Sequence, residues 1–159
     1  MALFAVNNQN EGTAQALSTA YKTLVAVTAA TATLRRAFIY EFDVGADGVP
    51  NATDCAIVWD MSAQTAAGTS TASVAETLDS ADTAAGTIGS VNFTAEGTIT
   101  AGSSRWSLGA NQRASYRWVV NPGGPGEITI PATNLAGFAL RAKSTNYTGT
   151  AVGVVYFRE

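Results

Sequence analysis

Histidine is absent from this 159-residue chain, and cysteine occurs once, as Cys55. Without histidine the chain lacks the commonest general base, metal ligand and pH switch of proteins. Nucleophilic triads of the Ser-His-Asp or Cys-His type are therefore excluded. Zinc sites built from Cys and His are excluded as well, because one cysteine supplies at most one thiolate ligand. The sequence predicts no cofactor, no metal, no internal disulfide, and a buried, unreactive thiol at Cys55.

Charged residues are also scarce, at 13% of the chain against the usual quarter or so. The net charge of −3 argues against a nucleic-acid partner, because that binding depends on Lys and Arg neutralising phosphates. No apolar run approaches the roughly 18 residues that span a bilayer, and residues 1–6 lack the basic start of a secretory signal. We therefore expect no membrane partner and synthesis in a cytoplasm. A surface poor in charge suits burial against neighbouring subunits, although a low-charge monomer fits the composition too.

Pairs of carboxylates are the remaining candidates for catalysis, since two of them can hydrolyse a glycosidic bond when their pKa values differ. Asp43 with Asp60, or Glu41 with Asp54, would face each other if the strands that carry them were neighbours. Carboxylates at outward strand positions are more commonly solvated or ion-paired. The sequence therefore predicts that the protein is not an enzyme, and a two-carboxylate glycosidase is kept as a rival hypothesis.

What the chain does contain is a series of short runs with strand character. The clearest is 34–44, where aromatic and β-branched residues alternate, and 54–61 alternates in the same way. Together these two runs predict an antiparallel hairpin. Ser73-Val-Ala-Glu76 has the spacing of a capping box, which favours a short helix or turn near 73–79. The other predicted strands are 22–28, 90–94, 97–101, 105–108, 113–120, 127–130, 137–142 and 151–158.

About eight to ten short strands, separated by strong turn signals and without a fixed repeat, predict an all-β fold. We expect a two-sheet jelly-roll sandwich, because long loops fall in the middle of the chain. Residues 2–16 are polar and rich in Asn and Gln, so residues 1–20 are predicted to form an extended N-terminal arm. Residues 21–159 are predicted to form a single sandwich domain. The aromatic residues Trp106, Tyr116 and Trp118 fit either a core face or a ligand-stacking platform.

Acidic and basic residues occupy different parts of the chain. Residues 37–104 contain nine carboxylates and neither Lys nor Arg, whereas residues 105–159 contain six Lys or Arg and two carboxylates. The two parts can pair within one sandwich, across neighbouring strands. Alternatively, the acidic part of one subunit can meet the basic part of the next, where charge sets the register of an assembly.

Segments 111–119, 126–133 and 149–159 resemble small virion proteins of tailed bacteriophages, and the likeness extends back to 36–40. The chain is similar in pattern to the jelly-roll decoration, or cement, proteins that sit on the outer surface of capsids. This resemblance implies a homotrimer at three-fold or quasi-three-fold positions, with the major capsid protein as its partner. It also implies an arm that reaches neighbouring subunits, and it carries over no catalytic residue.

The predicted function is therefore that of a non-enzymatic virion structural protein that decorates and stabilises a phage capsid as a homo-oligomer. The alternative is a receptor- or carbohydrate-binding module of a phage tail or head fibre, which would need exposed aromatic residues with convergent polar groups. Candidate contacts with other subunits or with the capsid lie in the predicted arm and among the arginines. These residues are Ala2, Phe4, Val6, Arg105, Arg113, Arg117 and Arg141.

Overall fold

The computed structural model describes residues 1–9 and 14–159, and this part of the chain contains strands but no helix. No helix in these two ranges is therefore available to cross a membrane. The strands are β1 Leu3–Asn7, β2 Gln15–Ala16, β3 Lys22–Ala29, β4 Ala37–Asp47, β5 Ala56–Ala66, β6 Thr69–Ser73, β7 Glu76–Thr77, β8 Thr87–Ala95, β9 Thr98–Asn111, β10 Tyr116–Val119, β11 Ile128–Ile130, β12 Gly137–Lys143 and β13 Thr150–Arg158.

The strands form two antiparallel sheets. The seven-stranded sheet has the order β10-β4-β13-β1-β7, with β11 also beside β4 and β2 also beside β13. The six-stranded sheet has the order β6-β8-β3-β12-β5-β9. The prediction of an all-β fold built from two sheets is therefore confirmed.

The main core lies between the two sheets and follows the period-2 alternation of strand side chains. On β13, for example, Val155 and Phe157 are buried while Val154 and Tyr156 are half-exposed. Strand β3 is apolar almost throughout, because it is covered on both faces. Its second face belongs to a smaller cluster that packs on the outside of the six-stranded sheet. That cluster consists of Ala26, Phe93 and Ala139, with Ile99 against it.

The predicted hairpin between the runs 34–44 and 54–61 is wrong. Strand β4 belongs to the seven-stranded sheet and pairs with β13, whereas β5 belongs to the six-stranded sheet and pairs with β12. The connection from 48 to 55 crosses from one layer to the other. Alternating apolar residues indicate which side of a strand is buried, but they do not indicate which strand lies beside it.

The middle of the chain also differs from the prediction. No helix forms at 73–79, where β6 ends at Ser73 and the short strand β7 pairs with β1. The two predicted strands 97–101 and 105–108 are one 14-residue strand, β9. The pairing of β9 with β5 shifts register near Ser62, and Gly102 takes a φ of 71° in the same region. Such bulges interrupt the alternation, which explains why β9 reads as two strands in the sequence.

The structure does not confirm an extended N-terminal arm. Leu3–Asn7 is strand β1, which lies between β13 and β7 within the seven-stranded sheet. Phe4 and Val6 are each 1% exposed and belong to the main core. Residues 10–13 of the predicted arm lie outside the described residues. The alternation of Phe4 and Val6 was the signal for a strand, but the polar residues that follow conceal it.

Candidate functional site

The two predicted carboxylate pairs are not brought together. Glu41 and Asp43 project from β4, whereas Asp54 and Asp60 lie just before and within β5, in the opposite layer. Asp60 is buried and accepts a hydrogen bond from the Ser62 hydroxyl at 2.6 Å. Within residues 1–9 and 14–159, no group of three or more acidic or cysteine side chains could hold a metal ion. Neither pair forms the two-carboxylate site that glycoside hydrolysis requires.

Three of the four predicted contact arginines form ion pairs inside the chain. Each pair joins the basic C-terminal part to a carboxylate of the acidic middle part, as pairing within one sandwich requires. Arg105 is exposed and forms no ion pair with any described residue. Charge complementarity between subunits is therefore not needed to explain the charge pattern. The pairs are Arg113 with Asp54 at 2.8 Å, Arg117 with Glu41 at 2.6 Å, and Arg141 with Asp60.

The predicted contact residues of the N-terminus have a role inside the fold. The ring of Phe4 stacks on that of Phe157 with centroids 5.3 Å apart, and Val6 lies opposite Val155. Both side chains are buried, so neither can contact another subunit while β1 stays in the sheet. Ala2, immediately before β1, is half-buried and packs against the same core. These residues therefore anchor the N-terminus to the sandwich.

The outer surface of the seven-stranded sheet carries a group of apolar side chains on the neighbouring strands β13 and β1. The alternation of β13 directs Val152, Val154 and Tyr156 away from the core, and that of β1 directs Leu3 and Ala5 the same way. All five side chains are half-exposed, and no described strand lies over them. We call these five residues the apolar face. On the same surface Asn7 lies beside Val154 and Arg158 lies beside Leu3, so polar side chains border the apolar face. Exposed apolar patches with a polar rim are typical of contacts with another protein.

Charged side chains border the apolar face on the side of β4 and β10. The strand register places Glu41 beside Tyr156, Asp43 beside Val154, and Arg117 beside Asp43. Burial raises the pKa of Asp43, and the neighbouring charge of Glu41 raises it further. The Arg117 guanidinium lies 3.9 Å from the Asp43 carboxylate and partly offsets both effects. The border is therefore acidic overall, and its carboxylates are partly removed from water in a single subunit.

Four aromatic rings close one side of the sandwich. Phe42 stacks on Trp118 at 5.0 Å and meets Trp106 edge-on at 4.8 Å, while Trp106 stacks on Tyr116 at 5.4 Å. The rings come from β4 and β10 in one sheet and from β9 in the other. Phe42 is fully buried, Trp106 and Trp118 are half-buried, and Tyr116 is 39% exposed. Trp106 and Trp118 pack against the main core, as the core interpretation predicts, and ligand stacking by these residues stays a prediction.

A cleft of about 350 Å³ opens beside this cluster. It is lined by residues of β9, at the margin of the six-stranded sheet, by residues of β10 and β11 in the other sheet, and by Phe138 of the inner strand β12. Its lining brings together residues that are up to 33 positions apart in the sequence, so no local pattern could have indicated it. The side chains that line it include Arg105, Trp118, Glu127, Ile128, Thr129 and Phe138.

Glu127 in this cleft is fixed as a charged group. Its Oε1 accepts hydrogen bonds from Arg158 Nε at 2.7 Å and from the Gly123 amide at 2.8 Å, and its Oε2 accepts one from Arg158 Nη2 at 2.6 Å. These hydrogen bonds, chiefly those from Arg158, hold the pKa of Glu127 below its ordinary value. The side chain of Arg158 lies in turn over the ring of Phe38, 4.1 Å from its centroid.

Comparisons with protein-family models, curated proteins and solved structures found no match to this chain.

Proposed function

We propose that this chain is a non-enzymatic virion structural protein that decorates and stabilises a phage capsid as a homo-oligomer, with a trimer as the expected state. The apolar face is the observation that carries the proposal. Its residues lie at the centre of the larger sheet, where exposure of apolar area costs about 25 cal/mol for each Å². Burial of this face against a second subunit, or against the major capsid protein, removes that cost.

The strand pairing supports a jelly-roll topology, which is the topology that the resemblance to decoration proteins implies. The topology is clearest when β2 and the insertion β6–β8 are left out and β10 and β11 are counted as one interrupted strand. Eight strands then remain. The first pairs with the last, β1 with β13, and the second pairs with the seventh, β3 with β12. The third pairs with the sixth and the fourth with the fifth. This nesting is the pattern of a long hairpin rolled into two Greek keys.

The location of the charges favours an assembly held by apolar contact. Arg113, Arg117 and Arg141 are already ion-paired inside the chain, so they are poorly placed to provide the main attraction between subunits. The acidic border around Asp43 would select the orientation of a neighbour more than it would add affinity. Many modest contacts of this kind, repeated by the symmetry of a capsid, would give a strong overall attachment.

The first test is the mass of the purified protein in solution, measured by light scattering. We expect three times the 16.3 kDa of one chain. Val154→Asp places a charge in the centre of the apolar face and should dissociate the oligomer. The matched control is Val58→Asp, because Val58 is also half-exposed on a strand but lies in the six-stranded sheet. A monomer at all concentrations, or an oligomer unaffected by Val154→Asp, would contradict the proposal.

The second test concerns the capsid itself. Capsids of the parent phage that lack this protein should bind the purified wild-type chain and sediment with it, and the bound chain should raise their resistance to heat. Val154→Asp should bind more weakly, whereas Val58→Asp should bind as the wild type does. Failure of the wild-type chain to sediment with such capsids would reject capsid decoration, even if the chain proved to be an oligomer.

A further inference from the structure

The cleft beside the aromatic cluster has the size and position of a small-ligand site. Its volume of about 350 Å³ lies at the lower end of the range found for such sites, which begins near 300 Å³. None of its lining residues belongs to β13 or β1, the strands that carry the apolar face. A ligand could therefore occupy the cleft while the apolar face is buried in an assembly.

One half of the cleft is apolar and rigid. Ile128 and Phe138, at 6% and 5% exposed, provide apolar surface, and the half-buried indole of Trp118 forms a wall. Trp118 stacks on Phe42 with an angle of 18° between the ring planes, so one face of its indole is held by the core. A fixed aromatic ring at the edge of a cleft suits stacking against the apolar face of a sugar ring.

The other half of the cleft is polar and has an excess of positive charge. Glu127 is neutralised by its two hydrogen bonds from Arg158, whereas Arg105 makes no ion pair with any described residue. Thr129 adds an exposed hydroxyl, which can donate and accept hydrogen bonds. The planar guanidinium of Arg105 is suited to bind a carboxylate through two parallel hydrogen bonds.

We propose that this cleft binds one unit of an acidic saccharide, with the sugar ring on Trp118 and its carboxylate on Arg105. The combination of a fixed aromatic wall, a small volume and an arginine without an ion pair among the described residues is what selects this class of ligand. Neutral sugars would satisfy the aromatic wall but would leave Arg105 without a partner. The inference adds a binding activity to the proposed structural role and does not depend on that role.

The test is a titration of the full-length protein with a panel of trisaccharides that end in sialic acid or in a uronic acid, alongside their methyl esters. The esters keep the sugar rings but remove the negative charge. We expect saturable binding of at least one acidic member, and binding of its ester that is at least tenfold weaker. Absence of saturable binding for every acidic member, or equal binding of acid and ester, would overturn the proposal.

Two variants locate the binding. Arg105→Gln should weaken binding of the acidic saccharide at least tenfold without lowering the melting temperature, because Arg105 has no ion pair in the described fold. Arg113→Gln is the matched control, since Arg113 is also exposed but pairs with Asp54 outside the cleft. An equal loss of affinity in both variants would mean that the net charge of the protein explains the effect, and it would overturn the assignment to this cleft.

A spectroscopic readout is independent of charge. The indole N–H resonance of Trp118, identified through its loss in Trp118→Phe, should shift during the titration. The corresponding resonance of Trp59, which is 1% exposed in the core, should stay unchanged. A saccharide that binds without moving the Trp118 resonance would bind elsewhere, and the proposal would then be rejected.

Discussion

Removal of Arg158 should destabilise the fold strongly, because Arg158 connects the last strand to the loop that precedes β11. It donates two hydrogen bonds to Glu127, at 2.6 and 2.7 Å, and both side chains are largely removed from water. The exposed fractions are 17% for Arg158 and 5% for Glu127. In Arg158→Met the Glu127 carboxylate would stay buried with the Gly123 amide as its remaining partner in the described structure.

The expected cost follows from this burial. Breaking a buried ion pair by removing one partner costs about 3 kcal/mol or more, because the other charge is left uncompensated. For a chain of this size, that corresponds to a fall in melting temperature of roughly 10 °C. The double variant Arg158→Met/Glu127→Gln should recover part of the loss, since no buried charge remains. The recovery measures the coupling between the two side chains.

Urea unfolding of the wild type, both single variants and the double variant provides the four free energies. The measurements should be repeated at several pH values. The pKa of Glu127 lies below its ordinary value of 4.5 in the folded protein, so the ion pair stabilises fully above pH 4.5. Its contribution is lost as the pH falls through the lowered pKa of the folded state. In Arg158→Met the buried carboxyl has lost the partner that lowers its pKa, so it takes up a proton at a higher pH than in the wild type. The advantage of the wild type over Arg158→Met should therefore begin to shrink above pH 4.5 and continue to shrink below it.

Two results would refute this reasoning. The first is a cost of Arg158→Met below about 0.5 kcal/mol, the size expected for a surface substitution. The second is a cost that does not change between neutral and acidic pH, which would mean that packing over Phe38 alone accounts for the effect.

Three further substitutions test other parts of the structure. Asp43→Asn should stabilise the protein at neutral pH, because burial raises the pKa of Asp43 and so penalises its charged form. This gain should vanish in acid, where Asp43 is protonated, and urea unfolding at both pH values measures it. Phe42→Ala should lower the free energy of unfolding by about 3–5 kcal/mol in the same assay, since it removes the buried ring on which Trp118 stacks. A loss below about 1 kcal/mol would mean that the aromatic cluster contributes little to stability. Gly137→Ala should prevent folding, because a Cβ there would lie 2.0 Å from the Val27 carbonyl oxygen. Gly109→Ala is the control and should fold normally, because no atom lies within 4 Å of its Cβ. Circular dichroism of the two variants measures the difference.

Much of the strand content could be predicted from the sequence. The runs 22–28, 137–142 and 151–158 nearly coincide with β3, β12 and β13, because alternating or continuous apolar residues reflect local geometry. The strand neighbours of 34–44 and 54–61 could not be predicted, because contacts between residues distant in the sequence determine which strands pair. Strand β4 pairs with β13, which lies more than a hundred residues away in the sequence. The candidate arm failed for a related reason: the two apolar residues Phe4 and Val6 are a weak signal until β13 is seen beside them.

The candidate site, like the fold, could be predicted only in part from the sequence. The absence of histidine, which excludes triads and Cys-His zinc sites, is a property of composition and needs no fold. The segregation of acidic and basic residues is also visible in the sequence, but the partners of Arg113, Arg117 and Arg141 are not. Ion pairs form between strands that the sheet order brings together, so the choice between pairing within a subunit and pairing between subunits depends on the tertiary structure.

The sequence by itself determined that the chain folds from short strands, that it has little charge, and that histidine-dependent chemistry is excluded. These properties are local or compositional. The tertiary structure decided that β1 is an internal strand, that five outward residues of β13 and β1 form the apolar face, and that Arg105, Trp118 and Phe138 share a cleft. The physical reason is that an antiparallel sheet places residues side by side through register, and register is set by the packing of the whole core.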